Sequence, residues 1–296
     1  MTHVAHTPPV PRALGAIGDL VEDVVVRLLE PVNPASDTRS VVTRRRGGSA
    51  ANVVEAACRA GGLARFIGQV GDDAAGRMLT DELLAVGAEV TVRRGGRTGT
   101  IVVLVGHDGE RTMLTDRGAC TELDGAEPVW LEGLHTLHVP YYSLVGEPLS
   151  STTTALVEEA HRRQLLVSVD VSSTAVLVAE GTERALERIA ALRPGVVLAN
   201  EAEAEVLGDG LRPHPLHGAL VVVKRGAQPA SLFTPDGAEH PVPAVLVEGV
   251  RDTTGAGDAF AAGLLLALAE GAAPVRAVEK GHAVAAEAVR RASAEG

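Results

Sequence analysis

Short apolar runs alternate with longer segments of helical periodicity through most of the chain. The runs at residues 165–170 and 220–224 have the length and the β-branched content of buried strands. The segments 152–163 and 274–290 repeat apolar residues at the spacing of one helix face. From about residue 136 onward the order is strand, helix, strand, helix, which predicts a mostly parallel sheet covered by helices on both faces.

Two stretches break this alternation. Residues 24–46 and 89–115 are rich in Val, Thr and Arg and carry few helix signals. We expect both to form small antiparallel strands that make a flap, or lid, over one edge of the main sheet. Asp108-Gly109, between two apolar runs, predicts a hairpin turn. Gly47-Gly48 marks the predicted join between lid and core.

The first residues differ in character from the rest. Residues 1–11 contain three prolines and no apolar core, so they predict a loose tail rather than a secretory leader. We expect a single domain over residues 12–296 with the two lid segments inside it. No apolar run reaches the length of a membrane span, and we therefore expect no membrane partner.

Composition narrows the function classes. The 296 residues are 46% hydrophobic but only 2% aromatic, so the core must consist of Val, Leu and Ala. The net charge of −11 and the absence of a basic stripe predict that the protein does not bind nucleic acid. Cys58 and Cys120 are far apart, which excludes a disulfide framework and a CxxC zinc site and favours a cytoplasmic location. Neither a P-loop nor a GxGxxG pattern is present.

The segment 252–260 joins a glycine-bearing turn to a strongly apolar run, 261–269. Gly255 and Gly257 let the backbone bend and approach a ligand closely. If a helix begins here, the free N–H groups and the dipole of its first turn form an anion site. Asp258 adds a carboxylate beside that site, as phosphoryl transfer to a hydroxyl requires. The alternative role for Asp258 is a cap at the start of the helix.

A second polar group precedes the first helical segment. Gly48 permits close approach of a neutral ligand, Asn52 offers donor and acceptor groups, and Asp23 can accept from two hydroxyls. Together these side chains suit a polyol or a sugar. The alternative is that Asp23 is a surface turn residue and Asn52 a residue of the helix end.

Polar residues also follow two later strands. Asn200 and Glu203 lie one helical turn apart, and oxygen ligands at that spacing suit Mg²⁺, although a capped first turn would have the same sequence. Lys224 and Gly226 end another strand, where the lysine either pairs with a nucleotide phosphate or is simply solvated. Ligands bind beyond the carboxyl ends of open parallel sheets, so we expect these groups to share one cleft with Asp23 and the glycine turn.

The order and separation of these motifs resemble the PfkB carbohydrate kinase family, and the resemblance extends over residues 14–290. It rests on the following segments and pairs: 47–52 (Gly-Gly-Ser-Ala-Ala-Asn), 66–73 (Phe-Ile-Gly-Gln-Val-Gly-Asp-Asp), Asn200 with Glu203, Lys224 with Gly226, and 252–260 (Asp-Thr-Thr-Gly-Ala-Gly-Asp-Ala-Phe). The resemblance implies an α/β fold with a three-layer α/β/α ribokinase-like core, a mostly parallel central sheet and a small β lid. It also implies an ATP-dependent kinase for a hydroxymethyl group of a sugar or sugar acid, with Mg²⁺ and K⁺ as cofactors and a homodimer formed through the lid.

The family pattern assigns a role to each matching residue. Asp258 would be the general base, and an anion hole for the moving phosphoryl group would be supplied by Gly255, Ala256 and Gly257. The sugar would be held by Asp23, Gly48 and Asn52. Asn200 and Glu203 would position Mg²⁺ and phosphates, and Asp252 and Thr254 would hold the monovalent cation. The nucleotide would border Lys224 and Gly226, with His282 at the adenine.

Two features depart from the family and two alternatives remain. Val21 stands where many members carry a polar residue that contacts the sugar, and the chain ends soon after Arg291, where relatives often continue the cation-site loop. A nucleoside kinase of the same fold is one alternative, for which Tyr141 and Tyr142 are the candidate stacking residues. The other is a sugar-sensing protein that has kept the cleft and lost turnover.

Overall fold

The computed structural model of the protein describes residues 13–106 and 110–295. The predicted tail, residues 1–11, and the predicted hairpin turn at Asp108-Gly109 lie outside the described residues. The described residues form two β-sheets, of nine and four strands, and the helices pack on the larger one.

The larger sheet follows the predicted parallel arrangement. The strands of both sheets, in chain order, are β1 Ala13–Ile17, β2 Val21–Leu28, β3 Ser40–Gly47, β4 Ala64–Val70, β5 Glu89–Arg94, β6 Thr98–Val105, β7 Arg111–Gly118, β8 Leu134–Pro140, β9 Leu166–Asp170, β10 Val196–Asn200, β11 Leu220–Lys224, β12 Ala230–Phe233 and β13 Glu239–Val242. The central sheet has the order β13-β12-β11-β10-β9-β8-β1-β4-β5. Every pairing from β11 to β5 is parallel, and only β12 and β13 run antiparallel at one edge.

Helices cover both faces of this sheet. They are α1 Ser49–Arg59, α2 Ala74–Ala85, α3 Leu149–Arg162, α4 Thr174–Glu180, α5 Thr182–Ala191, α6 Glu201–Leu207, α7 Ala256–Ala269 and α8 Pro274–Glu295. Successive residues of β10 alternate between two apolar clusters: one contains Val197 and the other Leu198. The first cluster takes in buried residues of α3 to α6, and the second those of α1, α2, α7 and α8. The three-layer α/β/α fold is confirmed, with one core on each side of the sheet.

Helix α7 is the most deeply embedded helix of the second cluster. Its residues are apolar nearly all round, from Ala259 to Ala267, and it packs between α1 and α8. A Cβ at Gly263 would lie 2.8 Å from the carbonyl oxygen of Lys280, so this glycine allows α8 to approach closely. The embedding fixes the position of the turn that precedes α7. Within the described ranges no helix combines the length and the apolar character that a bilayer span needs.

The smaller sheet, which we call the lid, has the strand order β3-β2-β6-β7. The prediction that residues 89–115 belong to the lid is wrong for their first part, because β5 pairs in parallel with β4 at the edge of the central sheet. The reason is the crossover through α2, which returns the chain to the same sheet. The lid strands also extend beyond the predicted segments, to Val21, Gly47 and Gly118. Strands β6 and β7 pair antiparallel, as the predicted hairpin requires.

Gly48 joins the lid to the core at a point where no side chain fits. It has φ of 103° and precedes α1, and a Cβ there would lie 2.2 Å from the carbonyl oxygen of Asp19. Gly61, just after α1, also has positive φ, 86°, but no atom lies within 4 Å of the place of its Cβ. Substitutions at these two glycines therefore distinguish the cost of a positive φ alone from the cost of a positive φ with a steric clash.

We expect Gly48→Ala to lower the free energy of unfolding by more than about 3 kcal/mol, because strain of about 1–2 kcal/mol adds to a clash with backbone. Gly61→Ala, the matched control, should lose about 1 kcal/mol from the positive φ alone. Urea unfolding followed by circular dichroism measures both. Equal losses in the two variants would contradict the assigned clash at Gly48.

Candidate active site

The carboxyl ends of three central strands open into a cavity of about 780 Å³. Asp170, Asn200 and Lys224 are the last residues of β9, β10 and β11, and all three line it. The glycine turn before α7 and His282 of α8 complete the lining. The prediction that these strand-end groups converge with the turn is therefore confirmed for Asn200 and Lys224.

Asp258 is held by the first turn of another helix. The N-cap of α7 is Gly255, so Asp258 is the third residue inside the helix and does not cap it. Its Oδ1 accepts a hydrogen bond from Ser49 Oγ at 2.7 Å, and its Oδ2 accepts one from Asn52 Nδ2 at 2.9 Å. Ser49 and Asn52 both lie at the start of α1. The capping alternative for Asp258 is wrong, because its carboxylate joins α7 to α1.

The environment of Asp258 weakens its acidity. Burial raises its pKa to about 6, against the hydrogen bonds from Ser49 and Asn52, which lower it. The negative charge of Asp170 raises the pKa further, and the ammonium of Lys224 lowers it. A carboxylate with such a pKa is ionised at neutral pH and is still a stronger base than an exposed aspartate.

The turn before α7 presents backbone donors to the cavity. Gly255 has φ of 75°, the left-handed region, and the N–H of Ala256 donates to the carbonyl of Thr253 at 3.1 Å. Among the described residues, the N–H groups of Gly255, Gly257 and Asp258 have no acceptor. These three donors lie at the positive end of the α7 dipole, where they could bind an anion, and we refer to them as the anion hole. Ala256 lines the cavity, but its N–H is already paired.

Lys224 reaches the same turn from the other side. A Cβ at Gly257 would lie 3.3 Å from Lys224 Nζ, so the absence of a side chain at this position leaves room for the lysine beside the turn. Lys224 Nζ also donates to Asp170 Oδ2 at 2.6 Å, and the lysine side chain is 14% exposed. Burial lowers the pKa of Lys224, but Asp170 and Glu203 outweigh it and leave the pKa raised. Lys224 is thus a fixed cation beside the anion hole and not a solvated residue.

Asn200 and Glu203 form the capping box that the sequence left as an alternative. The Asn200 side chain accepts from the Glu203 N–H at 2.9 Å, and the Glu203 carboxylate accepts from the Asn200 N–H at 2.8 Å and from its amide at 2.7 Å. Both residues also line the cavity. Burial and the nearby Asp170 raise the pKa of Glu203 to about 7.

The carboxylates of Asp170 and Glu203 are the kind of ligands that suit Mg²⁺. Magnesium keeps several of its waters and binds one or two protein carboxylates together with substrate phosphates. The described residues contain no cluster of three or more metal-binding side chains. Asp170 and Glu203 repel each other across the cavity beside the anion hole, and a divalent cation there would relieve the repulsion that raises the pKa of Glu203.

The far side of the cavity is apolar. His282 is buried, its ring meets that of Phe260 edge to face at 5.1 Å, and its Nε2 has no hydrogen-bond partner among the described residues. Burial is the main cause that lowers the pKa of His282. Gly226 lines this cavity with φ of 58°, and the place of its Cβ is open. Aliphatic residues continue the wall: the buried Val289, the half-buried Val247 and the exposed Val245, Leu246 and Val250.

A smaller cavity of about 180 Å³ lies beside the first, between lid and core. Asp23 and Asn52 line it, and Gly255 lines both cavities. Asn52 connects the two, since its amide donates to Asp258 and its Oδ1 accepts from Arg46 at 3.1 Å. Burial raises the pKa of Asp23, while the neighbouring arginines oppose that rise.

Not every predicted sugar residue faces this smaller space. Gly48 does not line either cavity, and its conformation is explained by the packing against Asp19 described above. Tyr141 is fully buried with its hydroxyl on Glu180 at 2.7 Å, so it does not offer a stacking face. Tyr142 does line the larger cavity and also packs under the guanidinium of Arg117.

Asp252 and Thr254 are close together but already have protein partners. Asp252 Oδ1 accepts from the Thr254 N–H at 2.9 Å and from its hydroxyl at 2.6 Å. Two lid arginines reach the same carboxylate: Arg45 at 3.3 Å and Arg111 at 3.4 Å. The assignment of Asp252 and Thr254 to a monovalent cation stays a prediction, and the arginines next to them were not predicted.

Four residues of the site were missed from the sequence. Asp170 ends a predicted strand, so the rule that found Asn200 and Lys224 applies to it equally. Ser49 lies inside the Gly-Gly-Ser-Ala-Ala-Asn motif, where a hydroxyl at the start of a helix is a signal. Arg45 and Arg111 gave none, because their contact with Asp252 depends on how the lid is set on the core.

The comparisons with known proteins give one consistent result. The family model described as pfkB family carbohydrate kinase matches residues 14–296. A fructokinase of Klebsiella pneumoniae is 34% identical over 241 residues, 75% of this chain and 76% of the relative. An aminoimidazole riboside kinase of Salmonella typhimurium is 33% identical over 84% of this chain and 80% of its own length. A crystal structure of a putative ribokinase II from E. coli, in complex with ATP and Mg²⁺, has a TM-score of 0.79 at 22% identity and covers 94% of this chain and 92% of its own.

We expect Asp258→Asn to be more stable than the wild type at pH 8, by about 1–2 kcal/mol. The pKa of Asp258 is raised in the folded state, so its contribution to stability is full below pH 4 and is lost as the pH rises through about 6. The neutral amide does not have this penalty. Urea unfolding at pH 5 and pH 8 measures the difference, which should shrink at pH 5; an equal difference at both values would contradict the raised pKa.

Proposed function

The chain belongs to the pfkB family of carbohydrate kinases, and we propose that it transfers the terminal phosphoryl group of ATP to a hydroxymethyl group of a sugar or sugar acid, with Asp258 as the general base. It is a sugar kinase by its family and its relatives. One observation carries the assignment of the base. The Asp258 carboxylate lies beside three unpaired backbone N–H groups and contacts Asn52, which lines the neighbouring cavity with Asp23.

The two cavities suit the two substrates. The smaller one has the carboxylate of Asp23, the amide of Asn52 and nearby arginines, which can bind the hydroxyl groups of a sugar. The larger one has the volume for a nucleotide and an apolar wall at His282. Gly255 lines both, so the transferred phosphoryl group would move across the turn that begins α7.

Asp258 is adequate as a base for an alcohol. In a loose phosphoryl-transfer transition state the proton leaves the hydroxyl late, so a weak base suffices when it is well placed. Ser49 and Asn52 fix the orientation of the carboxylate, and burial raises its pKa to about 6. The N–H groups of Gly255, Gly257 and Asp258, with Lys224, then stabilise the negative charge on the phosphoryl oxygens.

Asn200, Glu203 and Asp170 would hold Mg²⁺ through waters. The ion, when bound with ATP, supplies positive charge to the phosphate oxygens. Lys224 would pair with a phosphate, and Gly226 and His282 would border the ribose and the adenine. Dependence on ATP fits the cytoplasmic location predicted from the cysteine content.

A monovalent cation at Asp252 and Thr254 stays a prediction of the family resemblance. Both side chains are already engaged: Thr254 donates to Asp252, and Arg45 and Arg111 contact the same carboxylate. A cation would have to displace these arginines from Asp252. Cation dependence is therefore the part of the family pattern that the contacts of this chain support least.

The nucleoside kinase alternative has weaker support. Of its two candidate stacking residues, Tyr141 is fully buried, and Tyr142 alone borders the larger cavity. The smaller cavity is lined by charged and polar side chains and by alanines, without an aromatic ring. A sensing protein without turnover would have no need for a base with a raised pKa next to an intact anion hole.

A homodimer through the lid also remains a proposal. Exposed apolar side chains lie on both edge strands of the lid: Val41 and Val42 on β3, and Met113 and Leu114 on β7. Edge strands with apolar side chains are prone to pair with another chain. The lid is therefore the surface on which a second copy would bind.

The function is tested with a panel of ribose, fructose, ketodeoxygluconate, adenosine and pseudouridine, in a coupled assay of ADP release. We expect turnover with at least one sugar or sugar acid. We expect Asp258→Asn to fold, to bind ATP and the same sugar, and to lose kcat by on the order of 10²–10⁴, because the general base is removed. Calorimetry measures the binding.

Each result has a definite meaning. Near-normal turnover in Asp258→Asn would remove the assignment of the base. Turnover of the nucleosides alone would favour the alternative kinase. Binding of a sugar by the wild type without release of ADP would favour the sensing protein.

We expect Val42→Asp to weaken self-association, since it places a charge on an exposed apolar edge of the lid. Light scattering after gel filtration measures the mass of the wild type and of the variant. Val178→Asp is the matched control, because Val178 is 67% exposed on α4, away from the lid. A wild type that elutes as a monomer at all concentrations would contradict the proposal.

A further inference from the structure

Two arginines from opposite edges of the lid meet at one carboxylate. Arg45 lies on β3 and Arg111 on β7, the two outer strands of the lid. Arg45 Nη1 is 3.3 Å from Asp252 Oδ2, and Arg111 Nη2 is 3.4 Å from Asp252 Oδ1. Arg111 Nη1 also donates to Thr254 Oγ1 at 3.3 Å. The lid thus touches the anion-hole turn at the pair of residues that the family resemblance assigns to a monovalent cation.

The donor set at this place does not fit a cation. Guanidinium groups are donors only and carry a permanent positive charge. Asp252 Oδ1 accepts from the backbone and hydroxyl of Thr254 as well as from Arg111, and Oδ2 accepts from Arg45. A third positive charge beside two guanidinium groups would be repelled.

The charge of Asp252 is already compensated. Burial would raise the pKa of Asp252, but the hydrogen bonds from Thr254 and the charges of Arg111 and Arg45 overcome it and lower the pKa. Arg45 also lies 3.8 Å from Asp23, in the cavity proposed for the sugar. One arginine therefore connects the sugar cavity to the turn.

We propose that Arg45 and Arg111 take the place of the monovalent cation, so that contact of the lid with Asp252 and Thr254 sets the shape of the anion hole. The inference rests on the proposed function, because it assigns these arginines as positioning residues for the phosphoryl site. Arg111 lines neither cavity and acts through the turn, whereas Arg45 also borders the sugar cavity, so kcat of the variants is measured at saturating sugar.

The turn transmits this contact over a few residues. Thr254 is fixed to Asp252 by two hydrogen bonds, and the carbonyl of Thr253 holds the N–H of Ala256 at 3.1 Å. Gly255, in the left-handed conformation, follows Thr254 directly and is the N-cap of α7. A shift of Asp252 would therefore turn the N–H groups of Gly255 and Gly257 away from the phosphoryl oxygens, and small errors of position are costly in such sites.

The wild type tests the inference first. ADP release with the best sugar is measured in potassium, sodium and tetramethylammonium chloride at equal ionic strength. We expect rates that agree within about twofold, since the arginines are part of the chain. Stimulation by potassium of more than about fivefold, relative to tetramethylammonium, would overturn the inference, because an effect of 1 kcal/mol or more implies a bound cation.

The double variant Arg45→Gln/Arg111→Gln tests the inference by removing the two positive charges that are proposed to replace the cation. In tetramethylammonium we expect kcat to fall by on the order of 10–100-fold with a small change in the KM for ATP, because the hole is distorted and the nucleotide cavity is not. Potassium or guanidinium chloride should restore at least part of the rate. The single variant Arg111→Gln, at a 44% exposed side chain, provides the same test if the double variant does not fold.

Arg39→Gln is the matched control. Arg39 also pairs with a carboxylate, that of Glu30, but both lie in the connection between β2 and β3 and do not contact the turn. This variant should have the wild-type rate in all three salts. A double variant with wild-type turnover in tetramethylammonium, or one that neither potassium nor guanidinium restores, would overturn the inference.

A second readout needs no substrate. The melting temperature of the ligand-free protein is compared in potassium and tetramethylammonium chloride. We expect potassium to stabilise the double variant and to leave the wild type unchanged, since binding to the folded state alone raises stability. If the wild type phosphorylates none of the sugars, the proposed function fails, while this measurement still decides the inference: stabilisation of the wild type by potassium overturns it.

Discussion

The site depends on one contact, in which the N-termini of two helices meet through a single carboxylate. Asp258, in the first turn of α7, accepts hydrogen bonds from Ser49 and Asn52 in the first turns of α1. Each helix begins after a glycine with positive φ, Gly48 and Gly255, so the chain can turn sharply into both. Because α7 is embedded in the core, the position of the Asp258 carboxylate is fixed, and a ligand must bind in the orientation that this position allows.

The buried Asp258 carboxylate also contributes to an excess of negative charge in the larger cavity. Asp170, Glu203 and Asp258 surround Lys224, and burial leaves the pKa values of Glu203 and Asp258 raised. The lysine alone does not neutralise three carboxylates. A divalent cation beside Asp170 and Glu203 would reduce the repulsion between these carboxylates, while Lys224 and the backbone N–H groups would face the negative phosphates that accompany the ion. This is a reason for such a cavity to select nucleotide–metal complexes over free nucleotide.

Local sequence was sufficient wherever one element determines the outcome. The alternation of apolar runs predicted the parallel sheet, and the strand-end rule located Asn200 and Lys224. Prediction from local sequence failed where the outcome depends on contacts between two segments that are far apart in the chain. Residues 89–94 have the composition of the lid strands, but the crossover through α2 commits them to the central sheet. Arg45 and Arg111 carry no local signal, because an arginine on an exposed strand has the same sequence whether or not a carboxylate of another element lies opposite.

The strand order of the lid has a consequence for how the protein folds. Strands β2 and β6 pair in parallel at its centre, with Glu22 beside Thr100, and α1, β4, α2 and β5 lie between them in the chain. Such a pairing closes a long loop of chain, whose entropy is lost before the contact forms. High contact order of this kind slows folding. The contact between Ser49 and Asp258 closes a longer loop still, since it spans 209 residues, so both cavities are complete only when the C-terminal helices have packed against α1.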